Sequence, residues 1–282
     1  MILGLASAST WGGADFLAKL VIDRVGTRTT LFYVQMSGVA LVGLTLLIFQ
    51  PDIPYRPWGL AVAVLSGSLA GTALICLYHA FAVGAVSVAA PVVTSFSLVT
   101  VVLAISFLGE RLTFLIALGI FLTVAGVASI SVKYSELFSA KKRSLLPGVS
   151  WALLSALLFG TSSFLMKPVV MELGFALPAL ISKLCGALLV LLMSANPSKR
   201  PAGLVAFPFA LLFAVGALDA GGILFFALGV SRELVSVVTP LAGIHAAVTV
   251  VLASFFLKEH LEINQKLGLV STLAGVFLLS VR

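Results

Sequence analysis

Five ionisable side chains fall inside long apolar stretches of this sequence: Asp15, His79, Lys183, Asp219 and His245, with Lys19 and Lys167 nearer the ends of their stretches. A charge in a hydrocarbon environment costs at least about 2.5–3.5 kcal/mol on insertion scales, so each is a functional candidate by default. Asp219 lies deepest, in the string Leu218-Asp219-Ala220-Gly221-Gly222, whose glycines allow close backbone approach or local unwinding. Desolvation disfavours the charged form of a carboxylate, which makes Asp219 a candidate proton carrier and a proton the candidate coupling ion. Asp15 sits among small and polar residues, and a similar patch, Thr161-Ser162-Ser163, recurs later. Two readings stay open for Asp15: it lines a pathway together with Ser162 and Ser163, or it pairs with Lys19 at helix-neighbour spacing. His245 and His79 could contact a substrate or relay protons, or be hydrogen-bonded packing histidines; the place of His79 near the end of its stretch favours packing. Lys183 reads as a side chain that snorkels from the first turns of a short helix.

Pro91 and Pro240 each lie a turn or two inside an apolar run, where proline frees a carbonyl one turn earlier and bends a helix. They are hinge candidates, the alternative being prolines tolerated near a helix start. Glu110 and Glu259 read as structural carboxylates at helix starts, where negative charge is favoured. The strings that would signal an enzyme are missing: no HExxH, no GxSxG, no acidic pair at helical spacing within an apolar run and no phosphate-binding GxxxxGK[ST]. Cys76 and Cys185 both lie in apolar stretches and read as packing residues, so no metal site, disulfide or cofactor is expected. The expectation is a non-enzyme.

The elements that must position these groups follow from composition. The 282 residues are 61% hydrophobic and 10% charged, with a mean hydropathy of +1.21, far from the roughly 45–50% apolar and 25% charged balance of a soluble domain. Apolar runs occur at roughly 2–22, 31–50, 58–83, 86–108, 113–132, 147–171, 177–194, 204–229, 235–257 and 262–281. Each is about the length needed to cross a bilayer as a helix, and none alternates like a barrel strand. The start, with Ala6-Ser7-Ala8, lacks the basic and apolar regions of a cleaved signal and reads as the first membrane helix. The net charge of +7 resides between the runs, so it reads as a topology signal and not as a nucleic-acid surface.

The chain also repeats itself. A shift of 148 residues lays Trp11-Gly12 on Phe159-Gly160, Phe16-Leu17 on Phe164-Leu165, Lys19 on Lys167 and Gly26 on Gly174. A shift of 149 lays Pro91 on Pro240, the string TVVLA at 100–104 on TVVLA at 249–253, Glu110 on Glu259, and Ala125-Gly126-Val127 on Ala274-Gly275-Val276. Five runs per half is an odd number, so the second half must enter the bilayer upside down relative to the first. The expected domains are a first five-helix repeat at 1–132, a connecting loop at 133–146 and a second repeat at 147–282.

Trp11-Gly12 with Lys19, then Pro91, then Gly109-Glu110-Arg111-Leu112 and Ala125-Gly126-Val127, together with their second-half counterparts, resemble the drug/metabolite transporter superfamily, specifically a protein with two EamA-type domains. The resemblance implies an all-α membrane protein of ten transmembrane helices, arranged as two inverted repeats around a central cavity. It also implies substrates drawn from amino acids, other small metabolites, nucleotide sugars and drugs. The second half departs from the pattern where Lys258 and His260 replace Gly109 and Arg111. Counting basic residues by loop places the central loop in the cytoplasm and both termini outside, opposite to the commonest arrangement of the resembled family. The functional expectation is a secondary active carrier in the cytoplasmic membrane, exporting small organic metabolites such as amino acids by alternating access. The alternatives are a lipid or lipid-linked-sugar flippase and a non-transporting membrane scaffold.

Overall fold

The structure, a computed structural model, describes residues 1–50, 52, 55–83, 92–130, 146–194, 207–256 and 261–280. The expected hinge Pro91, the carboxylate Glu259 and nearly all of the connecting loop lie outside the described residues, as does the Lys19 side chain. Continuous apolar runs without alternation give helices. Among the described residues there are eleven helices of nine residues or more and no strand. They are α1 (Ile2–Val25), α2 (Thr27–Phe49), α3 (Pro57–Val83), α4 (Phe96–Leu108), α5 (Phe114–Ile130), α6 (Leu146–Leu173), α7 (Ala176–Ser194), α8 (Phe207–Arg232), α9 (Val235–Gly243), α10 (His245–Phe256) and α11 (Ile263–Ser280). Five segments are long and apolar enough to cross a membrane: Thr29–Phe49, Pro57–Leu77, Gly148–Leu173, Phe209–Arg232 and Val235–Phe256, the last formed by α9 and α10 together. Large apolar side chains such as Phe49, Trp58, Phe107, Phe213, Phe255 and Phe277 stand exposed around the bundle, a surface suited to lipid and not to water.

The two halves make the same contacts. Gly26 and Gly174, each joining the first two helices of a half, both take positive φ, +80° and +76°. Thr249 donates its hydroxyl to the carbonyl of Gly12 at 3.2 Å, and Thr100 donates to that of Gly160 at 2.9 Å. Ser7 donates to Gly222 at 2.9 Å, and Ser155 to Ala73 at 2.8 Å. These correspond at the offsets of 148 and 149 read from the sequence.

Two equivalent pairs meet each other directly. In α5 and α11, Gly119 lies against Gly275 and Leu279 while Ile130 lies against Gly268, so the pair runs antiparallel. In α2 and α7, Lys183 covers Gly38 and Gln35 covers Gly186, again antiparallel. A helix packed antiparallel on its own equivalent requires a pseudo-two-fold axis perpendicular to both. Backbone contact at such crossings leaves no room for a side chain: a Cβ on Gly126 would come 2.6 Å from the Gly268 carbonyl oxygen, and one on Gly275 would come 2.7 Å from that of Gly119. We therefore expect Gly126→Ala and Gly275→Ala each to destabilise by roughly 1–3 kcal/mol, to equal extents in a thermal melt. Gly13→Ala, where the nearest atom would be the Leu218 side chain at 3.4 Å, serves as a mild control.

The span holding Pro240 breaks, but not at or before the proline as expected. Pro240 is inside α9, and the interruption falls at Ile244, whose N–H reaches back three residues to Leu241 at 3.2 Å. Its repeat equivalent Ser95 makes the same three-residue bond to Val92, also at 3.2 Å, just before α4. The tighter turn, and not the lost proline N–H, re-aims the chain and sets His245 at the first position of α10.

The ends of the bundle differ. Every residue of α9 is buried, whereas in α10 only Ala247 and Ala253 are. At the end holding Met1, buried Glu110 accepts from the N–H groups of Val235 and Ser236 at 2.9 and 3.1 Å and from the Ser236 hydroxyl. The carboxylate caps α9, across the halves, and not the helix that follows it in sequence. Lys167 donates to the carbonyls of Val230 and Glu233 at 2.7 and 2.8 Å. These bonds seal the Met1 end.

Candidate functional site

Two paired carboxylates lie near the middle of the helices. Asp15 on α1 accepts from Nδ1 of His245 on α10 at 2.9 Å, and Asp219 on α8 accepts from the Lys183 ammonium on α7. Asp15 is the fourteenth of the 24 residues of α1, and Asp219 the thirteenth of the 26 of α8. Lys183 is the eighth of the 19 residues of α7. At 1.5 Å of rise per residue, each of these three side chains lies within a turn of its helix midpoint.

Both carboxylates face the interior. Gly4, Ala8, Trp11 and Asp15 share one stripe of α1 at spacings of four, three and four. Gly4 packs on Leu241, Ala8 belongs to the core around Leu241 and Ile244, and Trp11 stacks at 5.7 Å on Phe226. Asp219, Gly222, Phe226 and Val230 likewise share a stripe of α8, and its last two members are buried against Val235, Val238 and Ala242 of α9. The two acids thus continue, toward the Gly26 end, the stripes that elsewhere clasp α9. Although aimed inward, the Asp15 side chain is 51% exposed and that of His245 28%.

Trp11 joins the two pairs. Its indole sits edge-on to the His245 ring at 6.1 Å, and its pyrrole edge occupies the place a side chain on Gly222 would fill. Asp15 is one turn beyond Trp11 on α1, and Asp219 one turn beyond Gly222 on α8, both on the side away from the sealed end. The repeat equivalents of this arrangement are uncharged. Phe159 and Phe96 stand where Trp11 and His245 do, at a similar 6.2 Å, and Gln35 and Ala70 stand where Lys183 and Asp219 do. The charge is therefore confined to one of two otherwise matching sites. Two surface clefts, of about 390 Å³ beside Arg56 and Glu172 and about 600 Å³ beside Ser129 and Glu262, lie at the bundle ends and contain none of these groups.

Both halves of the chain, residues 1–132 and 146–281, match the EamA-like transporter family. The chain belongs to that family. An uncharacterized protein of Methanocaldococcus jannaschii is 31% identical over 135 residues, which are 96% of that protein and 47% of this chain, so a chain of about one repeat in length exists as a protein. A solved crystal structure whose title names no function shares the fold, with a TM-score of 0.83 at 16% identity over 99% of this chain and 96% of its own. The protein is thus a multi-pass membrane transporter of small molecules, as the family's other members are.

Within this transporter the residues singled out from sequence separate into groups. Asp15 and His245 come together, and Asp219 lies on the neighbouring stripe. Ser162 does not join them: buried between α6 and α3, it exchanges hydrogen bonds of 2.9 and 3.0 Å with Ser66. Ser163, half-buried, occupies the position equivalent to Asp15. His79 is exposed near the Gly26 end of α3, edge-on to Trp151 at 4.6 Å, well away from the helix middles. Lys183 differs most from its sequence reading. It does not snorkel: its side chain is 9% exposed, folded across Gly38 onto Asp219. In the sequence Trp11 stands out only as a marker of the repeat and of the family resemblance. Its i+4 spacing to Asp15 was the available signal, but the approach of Gly222 that makes it a shared wall is tertiary.

Proposed function

We propose that this transporter is a secondary active carrier of ten membrane spans, two inverted five-helix repeats, exporting small organic metabolites across the cytoplasmic membrane by alternating access. Amino acids are candidate substrates. The observation that carries the reading is the placement of two paired carboxylates, Asp15 with His245 and Asp219 with Lys183, near the helix middles. Ionisable groups so deep in a membrane bundle are costly, and those that persist there pair with one another and mark substrate or ion pathways. The antiparallel packing of α2 on α7 and of α5 on α11, each helix on its own equivalent, supports inverted halves able to rock about a central site. Domain limits near 132 and 147 follow from the same repeat.

The test is counterflow of a radiolabelled metabolite panel in proteoliposomes, with and without an imposed pH gradient, for wild type and Asp219→Asn. Substrate-specific flux that responds to the gradient and is lost in the variant is the expected result, with Asp219 as the coupling site. Flux indifferent to Asp219→Asn at every pH would remove that residue from coupling. No flux across a broad panel would sink the carrier reading and favour lipid flipping.

A further inference from the structure

In a carrier built on an inverted repeat, the two extreme states exchange the roles of the two copies. Contacts that are the same in both copies therefore belong to parts that move as one, and contacts that differ mark where parts separate. Two triads are the same: α1 packs on α8 and α10, and α6 packs on α3 and α4. In the first, Ser7 donates to the Gly222 carbonyl and Thr249 to that of Gly12, at 2.9 and 3.2 Å. In the second, Ser155 donates to Ala73 and Thr100 to Gly160, at 2.8 and 2.9 Å. The ring pairs Trp11 with His245 and Phe159 with Phe96 match as well, at 6.1 and 6.2 Å. Each triad draws its helices from both halves of the sequence.

Between the triads the copies differ. At the Met1 end, Met166 and Val170 of α6 are buried in one cluster with Phe226 and Val230 of α8. The equivalents of Met166 and Phe226 are Ala18 and Leu77, which lie in separate clusters, Ala18 with Val21 and Val34, Leu77 with Ala80 and Ala152. Among the described residues α1 and α3 make no contact comparable to that of α6 with α8. Two charged side chains of the second triad reach across where the triads meet. Lys167 of α6 donates to the last carbonyls of α8, at Val230 and Glu233. Glu110, just beyond α4, accepts from the first N–H groups of α9, at Val235 and Ser236. A cation at a helix C-terminus and an anion at a helix N-terminus thus hold the same α8–α9 joint, each favoured by the dipole it meets. Such bonds can be handed to water when the end opens, because every partner is a group that water also satisfies. The sequence repeats both side chains, as Lys19 and Glu259. We propose that the two triads are the moving bodies of the carrier, and that Glu110 and Lys167 form the latch that closes its Met1 end and releases when the solute site turns to that side. The inference rests on the carrier reading and refines its rocking halves into triads that each contain helices of both.

Distances between spin-label pairs in the full-length protein in nanodiscs test it, with Cys76 and Cys185 first replaced by alanine. Labels at the exposed positions Met171 and Arg232 span the triads at the Met1 end, and labels at Trp151 and Phe209 span them at the Gly26 end. Labels at Ser9 and Phe225 lie within one triad but in different halves. Glu110→Gln and Lys167→Met should each raise the ratio of long to short Met171–Arg232 distances about tenfold, the loss of a charge-assisted hydrogen bond read as a population shift. The Trp151–Phe209 distance should shorten to the same extent of population, and Ser9–Phe225 should hold. A cap with no part in gating would lower thermal stability and leave both end distances where they are. That result, lengthening at the Met1 end without shortening at the other, or a Ser9–Phe225 distance that changes with them would each overturn the inference. The two variants weaken the latch at different bonds, so where one fails to fold the other decides. Where the distances stay fixed but the metabolite panel shows counterflow, only the moving parts are wrongly assigned; where both fail, the carrier reading falls too.

Discussion

Lys183→Met should cost about 3 kcal/mol of stability and abolish transport. Removing one partner of a buried ion pair leaves the other charge uncompensated, at a cost of about 3–5 kcal/mol; the 23% exposure of the Asp219 side chain places this pair at the lower end. Adding Asp219→Leu should restore most of the stability, since a buried pair replaced by apolar groups is often neutral, but should not restore flux. Lys183→Arg should not rescue either property, because the stem passes so close to α2 that its Cδ lies 3.0 Å from where a Cβ on Gly38 would be. Thermal unfolding in detergent and counterflow in proteoliposomes read the two properties separately. A Lys183→Met variant as stable as wild type would show that the pair does not form.

Gly12→Ala and Gly160→Ala should lose similar stability but unequal activity. A Cβ on Gly12 would lie 2.5 Å from the Val248 Cβ and 2.8 Å from the His245 carbonyl oxygen; one on Gly160 would lie 2.5 Å from the Val99 Cβ and 2.7 Å from the Phe96 carbonyl oxygen. Either insertion must separate packed helices, at roughly 1–3 kcal/mol. Only at Gly12 does the displaced helix carry the hydrogen-bond partner of a carboxylate, because His245 bonded to Asp15 is replaced in the other half by Phe96. A hydrogen bond to a charged group contributes about 1.5–3 kcal/mol, equivalent to roughly a tenfold or greater loss of solute affinity. Gly12→Ala should therefore lose flux beyond what its stability explains, and Gly160→Ala should not. Equal losses of flux would mean that the Asp15–His245 pair plays no part in solute handling.

Much of this was legible before any coordinates. The helical membrane class follows from apolar runs too long and too continuous for anything else, and the family follows from short motifs recurring in order in both halves. Asp15, Asp219 and His245 were visible as candidates because depth in an apolar run can be counted along the chain. Lys183 was equally visible but misread, since counting does not reveal that α8 offers Asp219 and that Gly38 leaves room for the lysine stem. Ser162 was chosen for its hydroxyl, which packing instead assigns to Ser66. Glu110 was placed correctly at a helix start, but the helix proved to be one about 125 residues further along.

Sequence by itself determined the solvent, the secondary structure and the correspondence of the halves, because each depends on composition or on periodicity along one dimension. Tertiary structure alone decided which equivalent positions meet and where the symmetry breaks. The same pair of helix crossings carries Lys183 with Asp219 on one side and Gln35 with Ala70 on the other, and Trp11 with His245 opposite Phe159 with Phe96. Pairing in space depends on how glycines let helices approach across more than a hundred residues of chain, and no local pattern encodes it. On the proposed carrier reading, the two matching frameworks would supply the motion and the one charged site the chemistry.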